Sequence, residues 1–325
     1  MALSITKSKR VQNGNKGIKY IIMRDCFSNT IAELGEKNKN IFVVVADISP
    51  AGPMEKFQKK YPDRFINVGV AEQTMISVCA GLAMKKKIPF AYTISTFALY
   101  RPFEMIRTDI CYQNVPVTIV GMGAGTIYST LGATHLTQED ISITRSLPNL
   151  QVLAPCDPYE LKKCLEFCVN TSKNPTYLRI GKTGEKNFTK GKIWKFGKIN
   201  QILKGKKVCI LSYGPVIKLA FEAQKMLKKE ISIYSCHTLK PFNVLNLKKI
   251  FKKYHTVITL EDHSIIGGLG SIVQNYARQF EFKGKIKNFA LEDKFTHFYG
   301  NQEQLLDLHG ISSLKIYKFM KKLNY

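Results

Sequence analysis

The sequence predicts an α/β protein made of two three-layer α/β/α units. Three observations carry that expectation. From residue 23 onward, short apolar runs alternate with amphipathic stretches of helical length, the pattern of a mostly parallel sheet covered on both faces. A segment rich in Gly and Lys, GKTGEKNFTKGKIWKFGKINQILKGK at 181–206, breaks the alternation, which resumes after it. A chain of 325 residues with 45% hydrophobic content is also long enough for two packed cores. The expected units are 20–185 and 207–325, joined by a linker at 186–206.

Each element has its own justification. IFVVVAD (41–47), IPFAYTI (88–94), VPVTIVG (115–121), LQVLAP (150–155) and PTYLRI (175–180) are short apolar runs bounded by turn residues, and read as strands. Helical patterns lie between them near 23–37, 72–84, 98–113, 138–146 and 157–171. GMGAGTIYSTLGATHLT at 121–137 is too irregular for an element and too long for a passive turn, so it is expected to be functional. Beyond the linker, strands are expected at 207–213, 231–236 and 256–261, and helices near 215–229, 243–253, 267–280 and 310–323. No repeat of solenoid period is visible.

Composition narrows the function classes. The net charge of +25 raises the question of nucleic acid, but the lysines come as scattered doublets and one triplet at 85–87. Such a distribution reads as a solvated surface, compatible with a field that steers phosphorylated substrates. Neither a secretory leader nor a membrane-spanning apolar run is present, so a cytoplasmic protein with no nucleic-acid and no membrane partner is expected. The eight cysteines never form CxxC and lie mostly in hydrophobic segments, which signals neither a zinc site nor a disulfide framework. Cys164 and Cys168 share a helix face and read as core.

Several residues could carry chemistry. In GVAEQTMISVCAGLAM (69–84), Glu72 opens an apolar helix. It is either a first-turn acid that stabilises its own helix or a buried carboxylate that serves a ring nitrogen. Phe97, Tyr100 and Phe103 in TFALYRPFEMIR fall at i, i+3 and i+6 and form one aromatic wall on a helix, for packing or for stacking on a ring. His135 stands just before a capping box starting at Thr137 and can serve proton transfer. Arg179 ends a strand, as an anion clamp or as a plain surface charge. Gly267, Gly268 and Gly270 lack the spacing of a dinucleotide-binding turn and read as a tight strand-to-helix connection.

Taken together, FINVGVAEQ, TFALYRPFEMIR, GATHLTQEDISITRSLPNLQVLAPCDPYE, PTYLRIG and TLEDHSIIGGLGS resemble, in order, the thiamine-diphosphate enzymes of the transketolase family. The resemblance runs from about residue 20 to 325 and is nearest to the C-terminal section of split transketolases. It implies a pyrimidine-binding domain over 20–185 and a transketolase C-terminal domain over 207–325. It also implies that Glu72 hydrogen-bonds N1′ of the cofactor's aminopyrimidine and promotes the imino tautomer that deprotonates C2 of the thiazolium. By the same resemblance Phe97 stacks on the pyrimidine, Tyr100 and Phe103 complete its pocket, and Asp47 lies near the cofactor. His135 would contact the sugar and Arg179 would hold its phosphate.

The family's diphosphate and magnesium motif, GDG with a downstream asparagine, does not occur in the sequence. The resemblance therefore implies thiamine diphosphate and Mg2+ held mainly by an N-terminal-section partner subunit, in an α2β2 assembly. Leu131 stands where transketolases carry the aspartate of GEDGPTH, and Gly123 stands near the place of an earlier histidine, which suggests a variant ketose phosphate. The expected activity is transfer of a two-carbon ketol unit from a ketose phosphate to an aldose. The rival readings are a 2-oxoacid dehydrogenase β-subunit or a deoxyxylulose-phosphate synthase-like enzyme, and, outside enzymes, a basic nucleic-acid binder or scaffold.

Overall fold

Runs such as Ile41–Val45 and Ile88–Ile94 are apolar along their length because both faces of the sheet they join are covered by helices. The computed structural model describes residues 21–47, 54–182, 184–227 and 229–323. In chain order the strands are β1 (Ile21–Ile22), β2 (Ile41–Val45), β3 (Phe65–Asn67), β4 (Ile88–Ile94), β5 (Thr118–Met122), β6 (Gln151–Leu153) and β7 (Thr176–Ile180). They continue with β8 (Gly184–Glu185), β9 (Asn200–Leu203), β10 (Val208–Ser212), β11 (Ser232–Ser235), β12 (Thr238–Lys240), β13 (Thr256–Ser264) and β14 (Lys285–Leu291). Among the helices are α1 (Met23–Lys37), α2 (Glu55–Lys60), α3 (Glu72–Met84), α4 (Ser95–Leu99), α5 (Phe103–Met105) and α6 (Asp140–Ser146). The series ends with α7 (Pro158–Asn170), α8 (Lys218–Leu227), α9 (Val244–Lys253), α10 (Leu269–Gln279), α11 (Gln302–Leu308) and α12 (Ser313–Lys321).

The first large sheet has the order β12-β6-β7-β5-β4-β2-β3, and its pairs are parallel except at β12. The second has the order β14-β13-β10-β11-β9 and is parallel except at β9. The fold is the two-sheet α/β architecture that the alternation implies. Its two sheets are interlocked, because β12 follows β11 in sequence yet closes the edge of the first sheet against β6. One core cluster accordingly runs from Val44 and Met75 through Tyr177 to Cys209, Leu247 and Val273. Cys164 and Cys168 pack into a second cluster with Phe27 and Leu165.

Four differences from the sequence reading have local causes. The stretch 98–113 is not one helix, because Pro102 lacks the N–H that an interior turn requires: α4 stops at Leu99, α5 restarts at Phe103, and Ile106–Tyr112 continues as a π-helical turn. Part of the expected linker, Asn200–Leu203, is the antiparallel edge strand β9, where polar alternation hides the pattern. Thr137 does not cap α6; its hydroxyl lies 3.0 Å from Thr96 Oγ1, and Asp140 faces inward to Tyr177 and Arg179. β14 also escapes the reading, because its first half, Lys285–Asn288, is polar.

Two buried glutamates tie helices to the sheets. Glu261 on β13 accepts the N–H groups of Leu269 (2.7 Å) and Gly270 (2.8 Å) at the start of α10, so this N-terminus already holds a carboxyl group of its own chain. A Cβ at Gly268 would lie 2.2 Å from Glu261 Oε2, which is why the turn needs glycine. Glu160 on α7 accepts from Cys156 N at 3.0 Å and from Ser235 Oγ at 2.9 Å, linking α7 to β11. Burial, and then the neighbouring Asp157, pushes the Glu160 carboxyl up to about 7 from its ordinary 4.5. Between those values the native chain keeps a proton that the unfolded chain releases, so stability falls as pH rises through this window. Glu160→Gln is expected to flatten part of that loss, as read from urea midpoints at the two ends of the window; an unchanged slope would remove Glu160 from the account.

Candidate active site

α3 begins where the parallel strand β3 ends, after a turn in which Gly69 takes a positive φ of 71° and Asn67 Oδ1 accepts the Gly69 N–H at 3.0 Å. This sharp entry sets Glu72 as the first residue of α3, and its side chain is only 3% exposed. A charge so placed needs a partner. Arg101 supplies it: Nη1 donates to Glu72 Oε1 at 2.9 Å and to Oε2 at 3.1 Å. The guanidinium carbon lies 4.3 Å from the centre of the Phe97 ring, so the cation sits over Phe97 while it pairs with Glu72. The break at Pro102 places Arg101 outside a regular helical turn, from which it reaches back to both groups.

The cluster extends toward the long loop. The Phe97 and His135 rings meet edge to face at 5.2 Å, and His135 lies 6.1 Å from the Tyr128 ring. Lys182 Nζ stands 4.0 Å from the centre of the Tyr128 ring. Thr134 Oγ1 lies 3.0 Å from His135 Nδ1. Partial burial, followed by the positive charges of Arg101 and Lys182, holds the His135 imidazolium below its ordinary stability. His135 is therefore neutral near pH 7 and able to accept a proton. Glu72, Phe97, Arg101, His135, Tyr128 and Lys182 form a continuous chain of contacts.

Other expected site residues are placed differently. Tyr100 donates to Glu139 Oε2 at 2.5 Å, and Phe103 packs against the core, so the helix break divides the supposed single aromatic wall into three separate environments. Asp47 is exposed at the end of β2; its N–H donates to Asn67 Oδ1 at 3.1 Å, and its carboxylate makes no contact with the Glu72 cluster among the described residues. Arg179 is buried inside β7. Its Nε donates to Asp140 Oδ2 at 2.8 Å and its Nη2 to the Asp262 carbonyl at 2.7 Å. It lines a cavity of 310 Å³ between the two sheets, together with Phe188, Phe221 and Asp262, and this cavity includes none of Glu72, Phe97 and His135. The surface-charge reading of Arg179 is thereby corrected: the side chain is buried, with Nε and Nη2 donating to acceptors of this chain.

Arg101, Tyr128 and Lys182 escaped the sequence reading. Arg101 sits within TFALYRPFEMIR, where only the aromatic spacing drew notice, and Lys182 stands at the start of the Gly- and Lys-rich stretch 181–206 with no local signal to set it apart. Among the described residues, no group of three or more metal-ligating side chains occurs and no helix is long and apolar enough to cross a membrane.

Two interlocked α/β units thus place a buried carboxylate at a strand-to-helix turn, beside the face of an aromatic ring. Comparison with known proteins assigns the family. Residues 19–184 match the transketolase pyrimidine-binding domain and residues 197–316 the transketolase C-terminal domain. The chain belongs to the transketolase family. It is 34% identical to a transketolase C-terminal section of Methanocaldococcus jannaschii, over 92% of this chain and 95% of that one. It is 29% identical to one of the subunits of the apulose-4-phosphate transketolase of Phocaeicola vulgatus, over 93% of this chain and 98% of the relative. It is also 33% identical to 1-deoxy-D-xylulose-5-phosphate synthase of Dictyoglomus thermophilum, of which it spans 48%. A solved split-gene transketolase, described as an inactive β4 tetramer, superposes with a TM-score of 0.84 at 32% identity, over 93% of this chain and 98% of that one.

Proposed function

We propose that the chain is the C-terminal subunit of a two-chain, thiamine-diphosphate-dependent transketolase that moves a two-carbon ketol unit from a ketose phosphate to an aldose. The observation that carries the reading is the Glu72 carboxylate, buried and aimed at the place where a flat N–H donor stacks on Phe97. An aminopyrimidine fits this donor set, because it offers a planar ring to Phe97 and a ring nitrogen to Glu72. Thiamine diphosphate, when bound, supplies the electron-accepting ring carbon that carries the two-carbon unit.

In this reading Glu72 holds a proton against the pyrimidine N1′, where exclusion of water makes one carboxyl group effective. Phe97 fixes the plane of the ring. His135, neutral and 5.2 Å from Phe97 between ring centres, exchanges a proton with a sugar hydroxyl. Arg179, which lines the cavity between the sheets, keeps the phosphate-holding role that the resemblance gives it, and Lys182, on the Tyr128 side of His135, adds positive charge for the same anion. The roles that the resemblance gives to Tyr100, Phe103 and Asp47 are supported by the resemblance alone. Magnesium and the diphosphate belong, in this reading, to an N-terminal-section partner, as similarity to a transketolase C-terminal section and to a split-gene transketolase supports.

Similarity to a subunit of an apulose-4-phosphate transketolase supports a ketose phosphate as donor, and Leu131 in place of the usual aspartate supports a departure from common pentose phosphates. A second reading, as half of a pyruvate-consuming synthase, is favoured by similarity to the deoxyxylulose-phosphate synthase. The test mixes this chain with a GDG-bearing partner, thiamine diphosphate and Mg2+, and analyses products. Acceptor-dependent ketol transfer supports the first reading; carbon dioxide released from pyruvate supports the second and refutes the first. Within an active complex, Lys182→Met is expected to raise KM for the phosphorylated donor about tenfold with kcat nearly unchanged, the signature of lost uniform binding. An equal rise for an unphosphorylated analogue would remove Lys182 from the phosphate site.

A further inference from the structure

A buried carboxylate that awaits a ligand must be neutralised by something in the meantime. In this chain the interim partner has an unusual geometry. The Arg101 guanidinium is flat, lies over the Phe97 face 4.3 Å from the ring centre, and directs one nitrogen at both oxygens of Glu72, at 2.9 and 3.1 Å. These two surfaces are the ones that an aminopyrimidine would use. One planar nitrogen base cannot stack there while another occupies the same face.

We propose that Arg101 is an internal stand-in for the cofactor's pyrimidine, which keeps the Glu72 pocket paired in the cofactor-free chain and must swing out before the ring can enter. The inference rests on the assignment of Glu72 and Phe97 as the pyrimidine site. The side chain is suited to the movement. It is 46% exposed whereas Glu72 is 3% exposed, so the displaced guanidinium returns to water and the arriving ring satisfies the carboxylate that it leaves. Binding then reports a competition, and the apparent affinity is lowered by the fraction of molecules in which Arg101 has already left.

The test uses the full chain with selectively ¹⁵N-labelled arginine, and titrates in the aminopyrimidine half of thiamine as its hydroxymethyl derivative. The expected result is loss of the slowly exchanging Arg101 side-chain N–H signal as the probe binds, and tighter binding by Arg101→Leu, on the order of tenfold. Arg101→Lys, which retains the charge but lacks the planar guanidinium, should also bind more tightly than the native chain and guards against misfolding of the leucine variant. Equal or weaker binding by both variants overturns the stand-in. The underlying site assignment fails separately: a probe that binds Glu72→Gln with undiminished affinity sits elsewhere, and absence of binding by every form removes both readings.

Discussion

Glu72→Gln should reduce turnover of the assembled enzyme by about 10³-fold while leaving fold and subunit assembly intact, because it removes the acid–base group and keeps its volume. The amide can still accept a hydrogen bond, but it cannot hold and return a proton at a ring nitrogen. The surroundings make the substitution clean: Glu72 is the first residue of α3, its side chain packs at 3% exposure, and Arg101 can turn to solvent once the carboxylate is gone. Steady-state assays beside a thermal melt and a sizing profile separate the two effects. Activity within a few-fold of the native enzyme would overturn the catalytic assignment, and a lost melt would move Glu72 from chemistry to architecture.

The largest effect on stability is expected at Arg179. This guanidinium joins Asp140 on α6 to the Asp262 carbonyl on β13, so it fastens the first unit to the second. Asp140 is fully buried; its Oδ2 also accepts from Tyr177 OH at 2.8 Å, and its Oδ1 has no hydrogen-bond partner. Arg179→Met would leave that carboxylate uncompensated and should cost about 3–5 kcal/mol, the range for breaking one side of a buried pair. Combining it with Asp140→Leu should recover most of the loss, since replacing both charges removes the stranded one. Urea unfolding of the two single variants and the double variant gives the cycle. Additive losses would show that the two residues act independently.

The two buried partnerships have opposite characters. Arg179 and Asp140 are both inaccessible and face groups that cannot leave without disturbing two sheets. Glu72 is inaccessible, but its partner Arg101 is half in water. The first pair suits a permanent joint, the second a pocket whose present occupant can be exchanged. Sequence patterns cannot separate these cases, because both arginines stand in short polar interruptions of apolar segments.

The cysteines and the loop glycines follow the same division between local and nonlocal causes. Burial of Cys164 and Cys168 was legible from helical spacing alone. Gly123 shows the other side: it takes a positive φ of 68°, and a Cβ there would lie 2.2 Å from a Tyr128 ring carbon. The long loop from 121 to 137 is thus folded back on itself, so that Tyr128 reaches both His135 and Lys182. Its irregular composition marked it as functional, but nothing in the local sequence indicated which residues would meet.

The alternation of apolar strands with amphipathic helices determined the α/β class by itself, and the order of motifs determined the family, because both are written in near-neighbour spacing. The positions of Glu72 at the head of α3 and of Phe97 on α4 were legible for the same reason, since each belongs to a short run whose turn or helix start places it locally, whereas their roles rest on the family resemblance. Tertiary structure alone decided that Arg101 lies against both, that Lys182 stands on the His135 side, and that Arg179 is an interior strut. It also decided that β12 crosses to the first sheet. Those outcomes depend on contacts between residues far apart in the chain, where burial and charge neutralisation select the partner and no local pattern names it.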